Sequence, residues 1–311
     1  MILPQWLQDK VNELYLSLNK KILTETRENL TKRYKEQTGQ GKSLIENKND
    51  SMLYAISRMP ATFSVIYTLM RDLSSQNLLG DITTVLDVGS GTGACYFALK
   101  ELDENLSIDL IERDKNMIDV FKALTDGLVD VSVGDIRGFK SKTKADLVIS
   151  SYVLSELGED DRKTALNNLM NASNGYVLVV DTGTPKTYEF MMDMKRFANG
   201  SGWHVVAPCM HGECALKNDY CQFFARVERS SLHRLAKDAT LSYEDEKYFY
   251  LLISKDDKEI NGERIIRRPV IKEGSVSLVL CGKTGVEGKT FTKKNKDEFK
   301  KAKKSKINQI I

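Results

Sequence analysis

From Asp81 onward the chain alternates strand-length apolar runs with polar segments of helical length, and this rhythm narrows the fold more than any other feature of its 311 residues. The runs are 83–88 (TTVLDV), 107–112 (SIDLIE), 130–133 (DVSV), 145–150 (ADLVIS) and 176–181 (YVLVVD). Strands separated in this way by helices predict a parallel sheet covered on both faces, a doubly wound α/β core. Ahead of it, residues 3–75 read as helical. No Gly occurs between Met1 and Thr38, apolar positions recur through Leu7, Val11, Leu14 and Leu18, and Tyr54 to Met70 is periodic again, with Pro60 marking a break or a helix start. After Asp181 the rhythm stops for about 60 residues. Then 247–254 and 276–280 read as strands, expected to pair antiparallel at the edge of the sheet. Four regions follow: helical 1–75, core 76–200, a cysteine-rich insertion with the final strands over 201–290, and a basic tail over 291–311.

The segment Val85 to Gly93 (VLDVGSGTG) falls where the first strand ends and a helix begins. Glycines there let backbone approach a ligand and allow turns that a side chain blocks. The spacing Gly89-x-Gly91-x-Gly93 is that of methyltransferases, not the G-x-G-x-x-G of dinucleotide folds. Glu112 ends the second strand, where a carboxylate can accept from both ribose hydroxyls. Asp135, just past the third strand, is placed to accept from an adenine amino group, and Met117 to flank the adenine. Asp87 is assigned to the methionine end of the ligand, through its amino group or through the glycine loop. The expected fold class is therefore α/β, a class I S-adenosylmethionine-dependent methyltransferase with a Rossmann-like doubly wound sheet, an N-terminal helical extension and a cysteine-rich metal-binding insertion. The stretch Ser150 to Leu157 (SSYVLSEL), which faces the transferred methyl group in that class, lacks the Asn/Asp-Pro-Pro-aromatic motif of many amino-methylating enzymes. Methyl transfer can proceed by positioning alone, so the sequence leaves catalysis open.

Cys209, Cys214 and Cys221 are spaced C-x4-C-x6-C, and Cys281 ends the last expected strand. The opening MILPQWLQDK shows neither a secretory nor a transit pattern. A cytoplasmic, bacterial-type compartment is expected, with the mitochondrial matrix as the alternative, and disulfides are not expected. No apolar run reaches the roughly 20 residues of a membrane helix. Three close thiols and a distant fourth match the four-thiolate demand of an iron–sulfur cluster or of zinc. His204 and His211 rank below Cys281 as ligands, and Cys95 reads as a packed small residue. Charge is uneven: from Arg264 onward there are fourteen basic and four acidic residues, although the whole chain is only +3. Such an end can lie on a phosphate backbone or remain a solvated tail.

Several segments together resemble the methyltransferase-like proteins of the small ribosomal subunit, found in mitochondria as assembly factors and in bacteria as relatives. They are Tyr54 to Phe63 (YAISRMPATF), the glycine loop, Tyr152 to Leu157, the block from Trp203 through Cys209, Cys221 to Arg229 (CQFFARVER), Tyr243 to Lys247 (YEDEK), Arg264 to Pro269 (RIIRRP) and Cys281-Gly282. The resemblance reaches to about residue 290, and the cysteine block with YEDEK is more specific than the glycine loop. It implies a 4Fe-4S cluster on Cys209, Cys214, Cys221 and Cys281, an S-adenosylmethionine pocket, and a protein, monomeric when free, that works on the small subunit and its ribosomal RNA during assembly. Met210 and Ala215 stand where the family often has Pro, and Tyr220 where it has Trp; none of these removes a ligand. Arg226, Arg229, Arg234 and Lys237 can face RNA or pair with Glu244, Asp245 and Glu246. Internal pairing is expected for part of the set, which assigns RNA contact to Arg264, Arg267, Arg268 and the tail. Two other functions compete: an active methyltransferase on a protein or small molecule with a structural metal, and an RNA-binding scaffold with a vestigial pocket. The intact loop with Glu112 and Asp135 speaks against the scaffold, and the basic end against a small-molecule substrate.

Overall fold

The computed structural model describes every residue except 17, 19, 38, 41, 42, 142, 215 and 217. Helices α1 (Gln5–Leu16), α2 (Lys20–Gln37), α3 (Lys48–Ser57) and α4 (Met59–Ser75) come first. Asn47 starts α3 by accepting from the Asp50 N–H, and Pro60 sits in the first turn of α4, where its missing N–H has no intrahelical partner to lose. Phe63, Val65, Ile66, Leu69 and Leu73 of α4 are fully enclosed.

The alternating segment follows as β1 (Thr84–Val88), α5 (Ala94–Leu102), β2 (Ser107–Glu112), α6 (Lys115–Leu124), β3 (Ser132–Val133), β4 (Ala145–Ser151), α7 (Glu159–Asn171), β5 (Ser173–Thr182), α8 (Pro185–Gly200), β6 (His204–Ala207), β7 (Phe223–Glu228), α9 (Ser231–Lys237) and β8 (Tyr243–Ser254). The strands lie in the order β3-β2-β1-β4-β5-β8, parallel up to β5, with β8 antiparallel beside it. Strand order reverses between β1 and β4. Ligand crevices of doubly wound sheets open at such a point, beyond the carboxyl ends of the strands. The middle of the sheet, from Leu147 to Ile149 and from Val177 to Val180, is buried because helices cover both faces. The outer edge of β8 carries β7 beside its first half and β6 beside its second, both antiparallel. The cysteine-bearing residues 208–222 therefore leave this edge and rejoin it.

The expectation that 276–280 pairs with 247–254 is corrected. β9 (Arg264–Ile265), β10 (Val270–Lys272), β11 (Ser275–Gly282) and β12 (Gly285–Thr292) form a separate four-stranded antiparallel sheet. Helix α10 (Lys296–Lys304) packs Ala302 against Ile265, Val276, Leu278 and Leu280 of that sheet. The reason lies in burial: along most of β11 buried and half-exposed residues alternate, so it has one core face, whereas β8 from Tyr248 to Ser254 is buried on both.

The RNA-contact expectation for Arg264 is also corrected. Its side chain is fully buried, with Nε donating to the Pro208 carbonyl (2.9 Å) and Nη1 to the Asn308 carbonyl (2.8 Å) and to Gln76 Oε1 (3.2 Å). It thus ties the end of α4, the residue before Cys209 and the last turns of the chain to β9. Residues 308–311 are held here as well, through an Arg264–Ile310 bridge and Glu263–Ile311 backbone bonds. Arg267 donates to Asp219 (2.6 Å) and Arg268 to Asp245 (2.5 Å), both remaining partly exposed. The expected internal pairing occurs between Arg226 and Asp245, and between Glu244 and both Arg229 and Lys237. Replacing Arg264 with Met leaves two buried carbonyls and the Gln76 amide oxygen without this donor, and should lower unfolding stability by about 2–5 kcal/mol, read from the urea midpoint.

Candidate functional site

Gly89, Gly91 and Gly93 all have positive φ, +80°, +54° and +87°, but they serve different ends. A Cβ on Gly89 would lie 2.5 Å from Val153 Cγ2, and one on Gly93 2.2 Å from Phe121 Cδ2. A Cβ on Gly91 would meet nothing within 4 Å. Packing therefore demands the outer two, and the middle one faces open space. Gly91 N–H donates to Glu112 Oε2 (2.8 Å), while Glu112 Oε1 accepts from the N–H groups of Arg113 (2.7 Å) and Asp114 (2.8 Å). The cavity in front of the loop is narrow, about 80 Å³, and is lined by Gly89, Gly91, Glu112, Asp114, Met117, Gly134 and Ile136. Leu44 and Ile45, between α2 and α3, also line it. Sequence reading missed these two, because nothing local marks residues some 40 positions before the loop as its neighbours. It also missed Asp114, whose Oδ1 caps α6 by accepting from the N–H groups of Asn116 and Met117, although an Asp before a helix is a readable N-cap signal.

Asp87 is completely enclosed beneath the loop, and apart from a weak thiol contact from Cys95 its two oxygens have no hydrogen-bond partner. Burial, with Glu112 nearby, pushes its carboxyl up to about 8. Burial also raises Glu112, against three backbone donors that hold it down. Asp135 stands at the rim with its carboxylate on Arg137 Nε (2.8 Å), Arg137 Nη2 (2.7 Å) and Arg113 Nη1 (3.3 Å), which keep it well below the usual range. Its chain neighbours Gly134 and Ile136, not Asp135 itself, line the cavity. At the end of β4, Tyr152 adopts φ +61° and its buried hydroxyl has no partner. Ser155 N–H donates to Asp181 (2.9 Å), and burial pushes Glu156 up to about 7 although Arg113 opposes it.

The four cysteines form one electrostatic neighbourhood. Burial raises the thiols of Cys209, Cys221 and Cys281, the last to about 11, and the neighbouring cysteines add to each shift. Cys214 Sγ accepts from Tyr188 OH (2.8 Å), and Cys281 Sγ lies 3.4 Å from His211 Nε2. Among the described residues, no three His, Cys, Asp or Glu side chains are arranged to hold a single metal ion. His204 stands apart, 3.9 Å from Asp257, and Cys95 is packed on α5. Met210 donates its N–H to Cys281, the Tyr220 ring lies 6.2 Å from that of Tyr188, and Ala215 is outside the described residues. Two cations border the thiols: Lys195, 3% exposed, donates Nζ to the His211 carbonyl (2.7 Å), and Arg264 is fully buried. Both donate to carbonyls, Arg264 also to the side-chain amide oxygens of Gln76 and Asn308.

Residues 48–308 match the family described as mitochondrial small ribosomal subunit Rsm22. The human mitochondrial ribosome assembly protein METTL17 is 23% identical over 248 residues, a span that covers 71% of this chain and 53% of METTL17, so the chain spans about half the length of that relative. Among solved structures, magnesium protoporphyrin IX methyltransferase from Synechocystis PCC 6803 with bound S-adenosylmethionine is 12% identical, with 77% of this chain and 98% of that one covered at a TM-score of 0.41. The N-methyltransferase NodS from Bradyrhizobium japonicum WM9 is 15% identical, with 62% and 86% covered at 0.40. With well over half of its length matched, the chain belongs to the Rsm22 family of the mitochondrial small ribosomal subunit.

Proposed function

We propose that this chain binds S-adenosylmethionine and a 4Fe-4S cluster and acts in small-subunit assembly, on or against ribosomal RNA. The observation that carries the cofactor reading is Asp87, a buried carboxylate with no strong donor beneath a glycine loop whose middle residue faces open space. An unsatisfied buried carboxylate is costly, and the ammonium of a methionine end, reached directly or through the glycine loop, meets that need. Glu112 is the acceptor for the ribose hydroxyls, and Met117 flanks the adenine. Asp135, kept ionised by Arg137 and Arg113, is the assignment for the adenine amino group. When bound, the cofactor supplies a methyl group on an already activated sulfonium.

For the cysteines, the donor set and its charge favour a metal centre. Lys195 and Arg264 are two buried cations, both beside Cys209 and the second also beside Cys281; carbonyls accept their hydrogen bonds but do not neutralise their charge, and neutral thiols do not either. Four thiolates around an iron–sulfur cluster or zinc carry net negative charge and do. Residues 208–222 also have no helix or strand of their own among the described positions, and loops of this length in compact domains are commonly functional. Assembly on the small subunit, and the mitochondrial matrix over a bacterial-type cytoplasm, are favoured by the family's description and by METTL17.

Anaerobic purification should give a broad band near about 400 nm with about four irons and four sulfides per chain, and Cys214→Ala should bleach it; stoichiometric zinc without sulfide makes the site structural zinc. Gly91→Arg should abolish S-adenosylmethionine binding in calorimetry while the fold survives, since the new side chain enters the cavity, not a packed wall. The Asp87 carboxyl, pushed up to about 8 by burial, stays protonated below about that pH when no cation pairs with it. It must ionise to pair with an ammonium, so binding releases a proton and affinity should rise about tenfold per pH unit from about pH 6 to 8, a slope that Asp87→Asn removes.

A further inference from the structure

Three segments of the family resemblance converge on a second cavity, of about 490 Å³. Tyr54 and Arg58 of the first and Tyr152 and Glu156 of the second line it, and Glu246 of the third, outside the lining, accepts from Arg58 Nη2 (2.9 Å). This cavity adjoins the glycine-loop cavity: Tyr34, Tyr54, Tyr152 and Glu156 line both. Its outer rim, on α2, carries Arg27, Thr31 and Lys35.

We infer that this cavity receives one unpaired nucleobase of RNA, stacked on the tyrosines, with the adjoining phosphates on the rim cations. The inference rests on the RNA reading above. The volume lies within the roughly 300–1,000 Å³ of small-ligand sites. Three phenol rings provide planar apolar walls, and stacking on aromatic side chains is how single-stranded bases are held without a paired partner. Tyr152 is a bulky residue at φ +61°, and its buried hydroxyl lacks a partner, so the polar edge of a base completes a hydrogen bond that the protein leaves unmade. Glu156, near neutrality in its titration, can meet either a donor or an acceptor on that edge.

The charges of the lining bear on the backbone that accompanies the base. Arg27, Lys35, Arg58 and Lys237 stand in the lining against one carboxylate, Glu156. Arg27, Arg58 and Lys237 have acidic partners in Asp238, Glu246 and Glu244, while Lys35 makes no ion pair among the described residues. The three pairs balance within themselves, which leaves Lys35, on the exposed side of α2, as the lining cation open to a backbone phosphate.

The test is photo-crosslinking of a short single-stranded RNA carrying 4-thiouridine to the full chain, with adducts mapped by mass spectrometry and affinity measured in parallel. Adducts should fall on Tyr34, Tyr54 or Tyr152. Tyr54→Ala should lose at least about fivefold in RNA affinity, whereas Tyr54→Phe, which keeps the ring, should lose less than about twofold. Adducts confined to residues 264–311, with RNA still bound, overturn the nucleobase site and leave the RNA reading standing. Failure to bind RNA at all overturns both. The mapping uses the unaltered chain, so a folding defect in Tyr54→Ala does not blunt it.

Discussion

Strand β8 is the constraint on which the rest depends. Its residues Tyr248 to Ile253 are buried on both faces, so it must have sheet on both edges and helices above and below. One edge takes β5; the other is shared by β6 and β7, and the sharing forces the cysteine-bearing residues between them out of the sheet and back. The exposed start of the same strand uses its alternation of faces. Glu244 and Glu246 point to one side, where they hold Arg229, Lys237 and Arg58. Asp245 points to the other, where it holds Arg226 and Arg268. A single acidic run thereby fixes a wall of the second cavity on one face and a clamp toward the small sheet on the other.

What the sequence makes legible is whatever a local pattern encodes. The apolar runs mark β1, β2, β4, β5 and β8 to within a few residues, and the glycine loop falls between β1 and α5. Pairing is less legible. The run 276–280 is a strand, but periodicity reports which faces are covered and not which edge is met, and its one-sided burial places it in the small sheet. Arg264 shows the same limit for side chains. A guanidinium in RIIRRP reads as a surface cation, and only the fold supplies the carbonyls of Pro208 and Asn308 that make its burial tolerable.

The three loop glycines look equivalent in the chain and are not. Val153 and Phe121, which make Gly89 and Gly93 obligatory, come from other elements, so only three-dimensional packing singles out Gly91 as the position open to the cavity. The cysteines are the converse case. Their spacing is visible in the sequence, while the two buried cations beside them, from α8 and β9, are not.

Helix α8 joins the two sites mechanically. Tyr188 and Lys195 lie seven residues apart, two turns, and so on one face, which is turned toward Cys214 and Cys209. The helix begins at the Thr184 cap, directly after β5, whose Asp181 holds the Ser155 N–H of the loop at the end of β4. Thr182, in the lining of the second cavity, is hydrogen-bonded to Thr187 in the first turn of α8 (2.7 Å). Anything that orders residues 208–222 therefore also fixes the face of α8 that they touch, and through its first turn the wall of the second cavity. The cysteine loop, far from the glycine loop in sequence, is in this way part of the scaffold that sets the geometry at the end of β4.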